Sequence, residues 1–471
     1  MENTFFLFKS LVIFIKLTKS GALVLILNSQ FETNKFKSII HGINFLIYRG
    51  KKEEIGIKLL NCLIKLGPGY IKLGQALSTR PDIIGNEISK HLKKLQDDID
   101  PFCGLLAKNI VERESKLLIT DTFTLFNLEP IASASVAQVH KAILKNGKKV
   151  AVKILRPGIE KKLFNDFQFF YWGSKLIEFC MPRIKRLKLS QTVEVFSKTS
   201  LNELDLTMEA SAGDELAENF KNYSRFRVPK IYWELTTKKV LVLEYIDGIK
   251  IDDINSLKKH NHNIKKIVST AIEVFFLQVF RDGFFHGDMH PGNIFIDDKS
   301  NLIPIDFGIM GRLQNNDRQF LALLLTYLLD KKYSKVVQIH DEAGMLGKDV
   351  PHDQLAQAIR AISTPILNKP IGDISVAKLM GQIFGLSKSY NIEIQSQFSL
   401  LQKTMLMSEG IARQLRPEIN IWELSRPLID KWINETNDPF NIIEEWFHKN
   451  KKIILKIPEI INNLDKLLLK K

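Results

Sequence analysis

The sequence predicts an α+β protein of two lobes, and three observations predict it. Paired β-rich runs begin near Phe123, helical periodicity follows them, and everything after Gln319 carries the helical pattern again. The 471 residues leave room for two or three domains at roughly 150 residues each. Apolar residues at 45% and charged residues at 25% are ordinary globular values, which excludes disordered, collagen-like and low-complexity scaffolds. The expected domains are a helical extension over 1–120, a smaller lobe over 121–245, a helix-rich lobe over 246–435 and a basic amphipathic tail over 436–471.

Along the chain, Ile55 to Leu66 is helically periodic, Pro68-Gly69 interrupts it, and Asn86 is placed to cap a helix ahead of Glu87. Val136 to Leu144 and Lys149 to Leu155 read as strands joined by Lys145-Asn146-Gly147-Lys148. Asn-Gly tolerates positive φ at both central positions, so this is a hairpin. One helix is expected from about Gln191 to Lys221, then strands over Val228 to Tyr232 and Val240 to Tyr245. The first lobe is thus a small mixed sheet with one helix. A buried helix from Ile264 to Phe280 and short strands near Asn293–Phe295 and Leu302–Ile305 open the second.

The net charge of +15 attracts anions, and its distribution narrows the choice. Residues 141–190 hold thirteen Lys/Arg against three acids, and Lys449 to Lys471 holds seven Lys against Glu459 and Asp465. No RNP motif, zinc finger or Arg-rich arm is present, so no nucleic acid is expected as a partner. Three scattered Cys suit a reducing compartment rather than a disulfide framework. Lys9, Lys16 and Lys19 interrupt the apolar N-terminal stretch, which argues against a signal peptide and a spanning helix alike. Ile453, Ile457, Ile460, Ile461, Leu464 and Leu468 form an amphipathic stripe with a cationic opposite face, which favours peripheral attachment to an anionic membrane surface.

The sharpest block is His286-Gly287-Asp288-Met289-His290-Pro291-Gly292-Asn293, with Asp306-Phe307-Gly308 thirteen residues on. Phosphoryl transfer needs a carboxylate to orient or accept a hydroxyl proton, a task that suits Asp288. It also needs oxygen ligands for Mg²⁺ against the phosphates, which Asn293 and Asp306 can supply. The block matches the kinase HxDxxxxN and DFG arrangement, with a strand between its parts. Lys153, in Val150-Ala151-Val152-Lys153-Ile154, sits where a kinase pairs a strand Lys with the α/β-phosphates. The segment expected over the phosphates of ATP, Ile131-Ala132-Ser133-Ala134-Ser135-Val136-Ala137-Gln138-Val139, has no glycine and is therefore stiff. Glu203, Asp205 and Glu209 lie on the helix that follows. Asp205 and Glu209 share a face at i, i+4, whereas Glu203 is about 200° around the helix from Asp205; Glu209 is the expected partner of Lys153, with an acidic solvent face as the competing reading.

These blocks resemble the UbiB (ADCK/aarF-like) family of atypical protein kinases, over roughly Lys65 to Leu313. The catalytic block is also similar to that of aminoglycoside and choline phosphotransferases. Two features discriminate: Lys72-Leu73-Gly74-Gln75 resembles the family's KxGQ signature, and the Ala/Ser loop resembles its alanine-rich replacement of the glycine-rich loop. The resemblance implies a two-lobe protein-kinase-like fold with an N-terminal helical extension and a helix-rich C-terminal lobe. It implies ATP and Mg²⁺ as cofactors. It further implies that Lys72 and Gln75 lie over the nucleotide pocket as regulatory residues, with Lys72 engaging Glu203 and Asp205.

The family is linked to ubiquinone biosynthesis, so ubiquinone-biosynthesis enzymes and polyprenyl-phenol lipids are implied partners, at the cytoplasmic face of a bacterial inner membrane. Its bacterial members commonly end in two transmembrane helices, whereas this chain ends in the basic amphipathic tail, so peripheral attachment is expected. The leading expectation is an ATP-dependent atypical kinase or ATPase. A small-molecule phosphotransferase is disfavoured by Lys72 and Gln75. A non-catalytic scaffold is disfavoured by the joint presence of Lys153, Asp288, Asn293 and Asp306.

Overall fold

The computed structural model describes residues 12–13, 15–17, 55–78, 84–96, 100–180, 188–347, 349–367, 375–386, 390, 392, 395–416 and 427–432. The C-terminal amphipathic stripe, and all but five residues of the apolar N-terminal stretch, lie outside them. The chain divides into two compact units, Met1–Asp214 with Pro229–Tyr245, and Glu215–Val228 with Ile246–Lys471.

In the first unit, α1 (Ile55–Leu66), α2 (Pro68–Ser78) and α3 (Asn86–Leu92) bury Leu59, Leu63, Tyr70, Ile71, Leu92 and Leu95 in one cluster. Pro68 opens α2, where its missing N–H has no helical partner to lose. Gly74 stands where α2 crosses the segment after α3: an added Cβ would lie 2.4 Å from a Leu95 methyl. α4 (Gly104–Ser115) and the single turn α5 (Ile119–Thr122) then lead into the sheet.

The sheet consists of β1 (Phe123–Ser133), β2 (Ala137–Leu144), β3 (Lys149–Leu155) and β4 (Val240–Glu244), in that order. Every pairing is antiparallel, so the expected mixed sheet is not formed. Among the described residues, three α-helices rather than one lie between β3 and β4: α6 (Ile159–Cys180), α7 (Leu189–Asn202) and α8 (Leu206–Asn219). The pleat sends alternate side chains to opposite faces. Val150, Val152 and Ile154 pack with Ala107, Ile110 and Val111 of α4. Ala151 and Leu155 share the other face with Leu163 and Phe167 of α6 and Leu206 and Ala210 of α8.

Three expected boundaries shift for physical reasons. In the β2–β3 turn only Gly147 takes positive φ (+80°). Gly147 N–H donates to Leu144 O at 2.9 Å and Leu144 N–H to Lys148 O at 2.9 Å, a three-residue loop with a glycine bulge. Asn146 instead accepts Lys148 N–H on Oδ1 at 3.1 Å. The helix expected through Glu203 and Asp205 breaks there, because the Asp205 carboxylate accepts Thr207 N–H at 3.1 Å and so starts α8 afresh. Val228 to Tyr232 forms a single bridge, Ile231 to Leu243, rather than a strand.

The second unit opens with β5 (Ile249–Lys250), α9 (Ile254–Lys259) and α10 (Ile264–Phe276). α10 runs into a π-helical turn, Leu277–Asp282, closed by Gly283 at φ +62°. Two small antiparallel sheets follow, β5-β7-β8 and β6-β9, from β6 (Phe284–His286), β7 (Ile294–Ile296), β8 (Leu302–Pro304) and β9 (Met310–Arg312). α11 (Asn315–Leu329), α12 (Tyr333–Glu342), α13 (His352–Leu367), α14 (Val376–Gly385) and α15 (Ser396–Leu415) surround Phe275, Phe320, Leu324, Leu328 and Phe398. Among the described residues no helix is long and apolar enough to cross a membrane.

Candidate active site

The strand alternation that buries Val152 and Ile154 against α4 turns Lys153 to the opposite face, where α8 packs. There its ammonium donates to Glu209 at 2.7 Å (Oε1) and 2.9 Å (Oε2). Glu209 is 6% exposed and Lys153 19%, so the pair is largely withdrawn from water. A charge-assisted pair in which one ammonium donates to both carboxylate oxygens fixes direction as well as position.

The segment over Ile131–Val139 is mostly strand rather than loop. β1 runs to Ser133, with Ala132 opposite Val139, and β2 resumes at Ala137, so only Ala134, Ser135 and Val136 lie off the ladder. Ile131, Ala132 and Ala134 are exposed, whereas Ser135, Val136 and Ala137 are buried. No residue of the segment has positive φ. Arg156, just past β3, clamps this tip: Nε donates to Ala134 O at 3.0 Å and a terminal nitrogen to Ser133 Oγ at 2.8 Å.

Gln138 faces away from the exposed tip. Its amide accepts Phe102 N–H at 2.9 Å and donates to Phe102 O at 3.2 Å, and it lies 2.8 Å from His140 Nε2. The side chain is fully buried and ties β2 to the segment before α4. The Gln138 side chain, expected at the nucleotide, is thus engaged with the Phe102 backbone and His140 instead. Asn127 O takes the hydrogen of His140 Nδ1, so Nε2 accepts from Gln138, and burial holds this imidazole below its ordinary pKa.

Lys72, only 6% exposed, pairs with Glu203 at the end of α7. The expected joint contact with Asp205 is not formed: Asp205 caps α8 and faces Lys238 at 3.8 Å. Gln75 donates to Leu95 O at 2.9 Å, which ties α2 to the turn after α3. The break between α7 and α8 separates the three acids, sending Glu203 to Lys72 and Glu209 to Lys153.

In the second unit, β6 delivers His286 to a fully enclosed position. The Asp306 carbonyl can only accept, so His286 Nε2–H donates to it at 2.6 Å, and Nδ1 accepts Asp288 N–H at 3.1 Å. This is a neutral imidazole, and burial pushes its pKa down against the pull of the Asp306 and Asp288 charges. Gln278, in the π-helical turn, accepts His286 N–H at 2.9 Å. His290 Nδ1 accepts Gly292 N–H at 3.2 Å and caps the turn that presents Asn293. Asn293 Nδ2 lies 3.4 Å from Asp306 Oδ2. Asp288 Oδ1 accepts Lys403 Nζ at 2.8 Å, from α15.

Sequence reasoning missed Lys403, Arg156 and Gln278. Lys403 stands 115 residues from Asp288 with no local motif. Arg156 and Gln278 act through backbone and buried amide contacts that carry no periodic signal.

The family model of the ABC1 atypical kinase-like domain matches residues 94–340, and that of the UbiB helical domain matches residues 359–420. Curated relatives named "Probable protein kinase UbiB" cover most of the chain. The Marinobacter nauticus protein is 39% identical over 397 residues, 83% of this chain and 73% of that one. The Aliivibrio fischeri protein is 36% identical over 429 residues, 90% and 79% of the two chains. The Azotobacter vinelandii protein is 38% identical over 395 residues, 83% and 74%. Among solved structures, Rv3197 from Mycobacterium tuberculosis, determined in complex with erythromycin, matches with a TM-score of 0.52 at 23% identity. It covers 79% of this chain and 95% of its own, a likeness of fold.

Proposed function

The chain belongs to the UbiB family of ABC1 atypical kinase-like proteins, and from that premise we propose that it uses Mg²⁺ and ATP for phosphoryl transfer or ATP hydrolysis in support of ubiquinone biosynthesis at a bacterial membrane surface. The observation that carries this reading is the largely buried Lys153–Glu209 pair, in which both carboxylate oxygens hold one strand lysine. A solvated acidic face does not bury a bidentate contact between a sheet and a helix 56 residues away in sequence.

In this reading Lys153 meets the α/β-phosphates and Glu209 holds its ammonium in place. The tip at Ala134–Val136, clamped by Arg156, covers the phosphates stiffly. Asp288 orients the attacking hydroxyl or water and accepts its proton. Asn293 and Asp306 lie side by side, the Asn293 amide nitrogen 3.4 Å from Asp306 Oδ2, and would supply the Asn293 carbonyl oxygen and an Asp306 carboxylate oxygen to Mg²⁺ completed by phosphate oxygens and water. Among the described residues no three His, Cys, Asp or Glu side chains could hold a metal without such help. Held by Asn293 and Asp306, Mg²⁺ would supply positive charge against the phosphates. Neutral His286 ties the backbone of Asp288 to that of Asp306, so the proton acceptor and the metal ligand keep one geometry. The Lys72–Glu203 pair restrains α2 against α7, in keeping with a regulatory role.

Two features support a membrane surface as the place of action. The +15 net charge is concentrated within residues 141–190 and at the C-terminal end of the chain. On α6, Phe164, Trp172 and Phe179 are exposed beside Lys161, Lys162 and Lys175, an aromatic and cationic mixture that suits a headgroup layer.

The test is ATP turnover by the purified full chain, with and without Mg²⁺, and with and without phosphatidylglycerol vesicles carrying a polyprenyl-phenol. Mg²⁺-dependent turnover, raised by the vesicles, is expected. Asp288→Asn should lower it by about 10²–10⁴-fold while ADP binding stays near wild type. Equal turnover in Asp288→Asn and wild type would sink the mechanism.

A further inference from the structure

The loop that presents Asp288 supplies no cation of its own. Between His286 and Asn293 there is no Lys or Arg, and both histidines accept backbone N–H groups through Nδ1. The positive charge at Asp288 comes instead from Lys403, in the middle of α15, at 2.8 Å. Neither partner is a free surface group: Lys403 is 30% exposed and Asp288 27%. The next residue, Thr404, is fully buried and donates to Leu400 O at 3.1 Å, and Leu401 belongs to the unit's hydrophobic core. The helix is therefore anchored one residue beyond the lysine and two before it, which fixes the point from which Lys403 reaches Asp288.

We propose that Lys403 is a positioning residue for the reaction: it holds the Asp288 carboxylate by Oδ1 and so aims Oδ2 at the reacting hydroxyl or water. The inference rests on the reading of Asp288 as the reacting carboxylate. It makes the helical region beyond the kinase-like core, matched as the UbiB helical domain, a contributor to the catalytic geometry. A carboxylate held at one oxygen by a cation on a packed helix loses the rotation about χ2 that would otherwise spread it over unproductive directions. A misplacement of about 1 Å at such a group costs on the order of 10²-fold in rate.

The experiment measures ATP turnover and ADP affinity for the full chain carrying Lys403→Met, Lys403→Arg, Asp288→Asn and the Asp288→Asn/Lys403→Met double substitution. Lys403→Met should lower kcat by about 10- to 100-fold with ADP affinity within about twofold of wild type. Lys403→Arg should recover most of the loss, since a cation is restored. The double variant should be no slower than Asp288→Asn alone, because a positioning residue has nothing left to position. Loss in Asp288→Asn with wild-type turnover in Lys403→Met overturns the inference and leaves the reading of Asp288 standing. A double variant slower by the product of the single effects also overturns it. Wild-type turnover in Asp288→Asn removes the reading and the inference together. Should Lys403→Met melt early, Lys403→Arg and Lys403→Gln carry the same comparison: equal turnover in those two overturns the role of the cation.

Discussion

Replacing Asp306 with Asn removes a charge but keeps the shape that lies 3.4 Å from Asn293 and accepts Gly308 N–H at 3.2 Å. The backbone of the loop should therefore survive Asp306→Asn while its pull on a divalent cation weakens. Calorimetry of ATP binding with and without Mg²⁺ should show the metal-dependent gain fall by about tenfold or more, since a hard cation is held mainly by charged oxygen. An undiminished gain would remove Asp306 from the metal site. Lys72 poses the converse case, a cation whose loss leaves Glu203 beside α2 without its partner. Lys72→Ala should raise autophosphorylation, measured with radiolabelled ATP. Identical labelling of both proteins would assign the pair to packing alone.

The short tip between β1 and β2 shows why alanine and serine suffice where glycine is usual. Its residues stay at negative φ, and its shape is set from outside by Arg156, which reaches Ser133, Ala134 and the Asp100 carbonyl at 2.9 Å. Arg156→Ala removes about three hydrogen bonds, each worth roughly 1 kcal/mol net. It should lower the melting temperature by a few degrees and weaken ADP binding several-fold, both readable on one preparation. Unchanged ADP affinity alongside a lower melting temperature would mean that the clamp serves only the fold. Gly74 makes a second element-level demand, because a methyl group there meets Leu95 and Leu63 inside a packed cluster. Gly74→Ala should destabilise the helical extension by about 1–3 kcal/mol, checked by urea unfolding.

Across the whole molecule, His140, His286 and His340 are all held neutral by burial, below the ordinary imidazole value near 6.5. The unfolded chain takes up protons at these rings near pH 6.5, while the folded chain resists them to lower pH. The stability they permit is therefore complete above about pH 6.5 and declines as pH falls from there toward the depressed folded values. Melting temperature followed from pH 8 to pH 5 should be level at first and then fall. His340, buried against Phe320, can be tested singly: His340→Leu should make the decline shallower. A flat profile down to pH 5.5 in the wild type would contradict the linkage.

Local chemistry alone determined much of this protein. The spacing from Asp288 to Asn293 and Asp306 and the β2–β3 hairpin around Gly147 are short-range patterns, set by turn geometry and strand period, whereas Lys72–Gln75 took its meaning only from the resemblance to a family signature. The choice of Glu209 as partner of Lys153 assumed one continuous helix, whereas the observed pairing rests on the break between α7 and α8 that separates the acids. Only tertiary structure decided the rest, because the deciding contacts join residues that no period connects. The helix break at Glu203–Asp205 depends on a cap competing with helix continuation, and the two outcomes are close in energy. Gln138 turns inward because the Phe102 backbone offers both a donor and an acceptor. Lys403 meets Asp288 because α15 packs its Leu401 side into the core of the second unit, bringing an ammonium to a carboxylate 115 residues away. Sequence specifies which groups can do chemistry; burial and packing select which of them are held together, since only the folded chain excludes the water that would otherwise separate them.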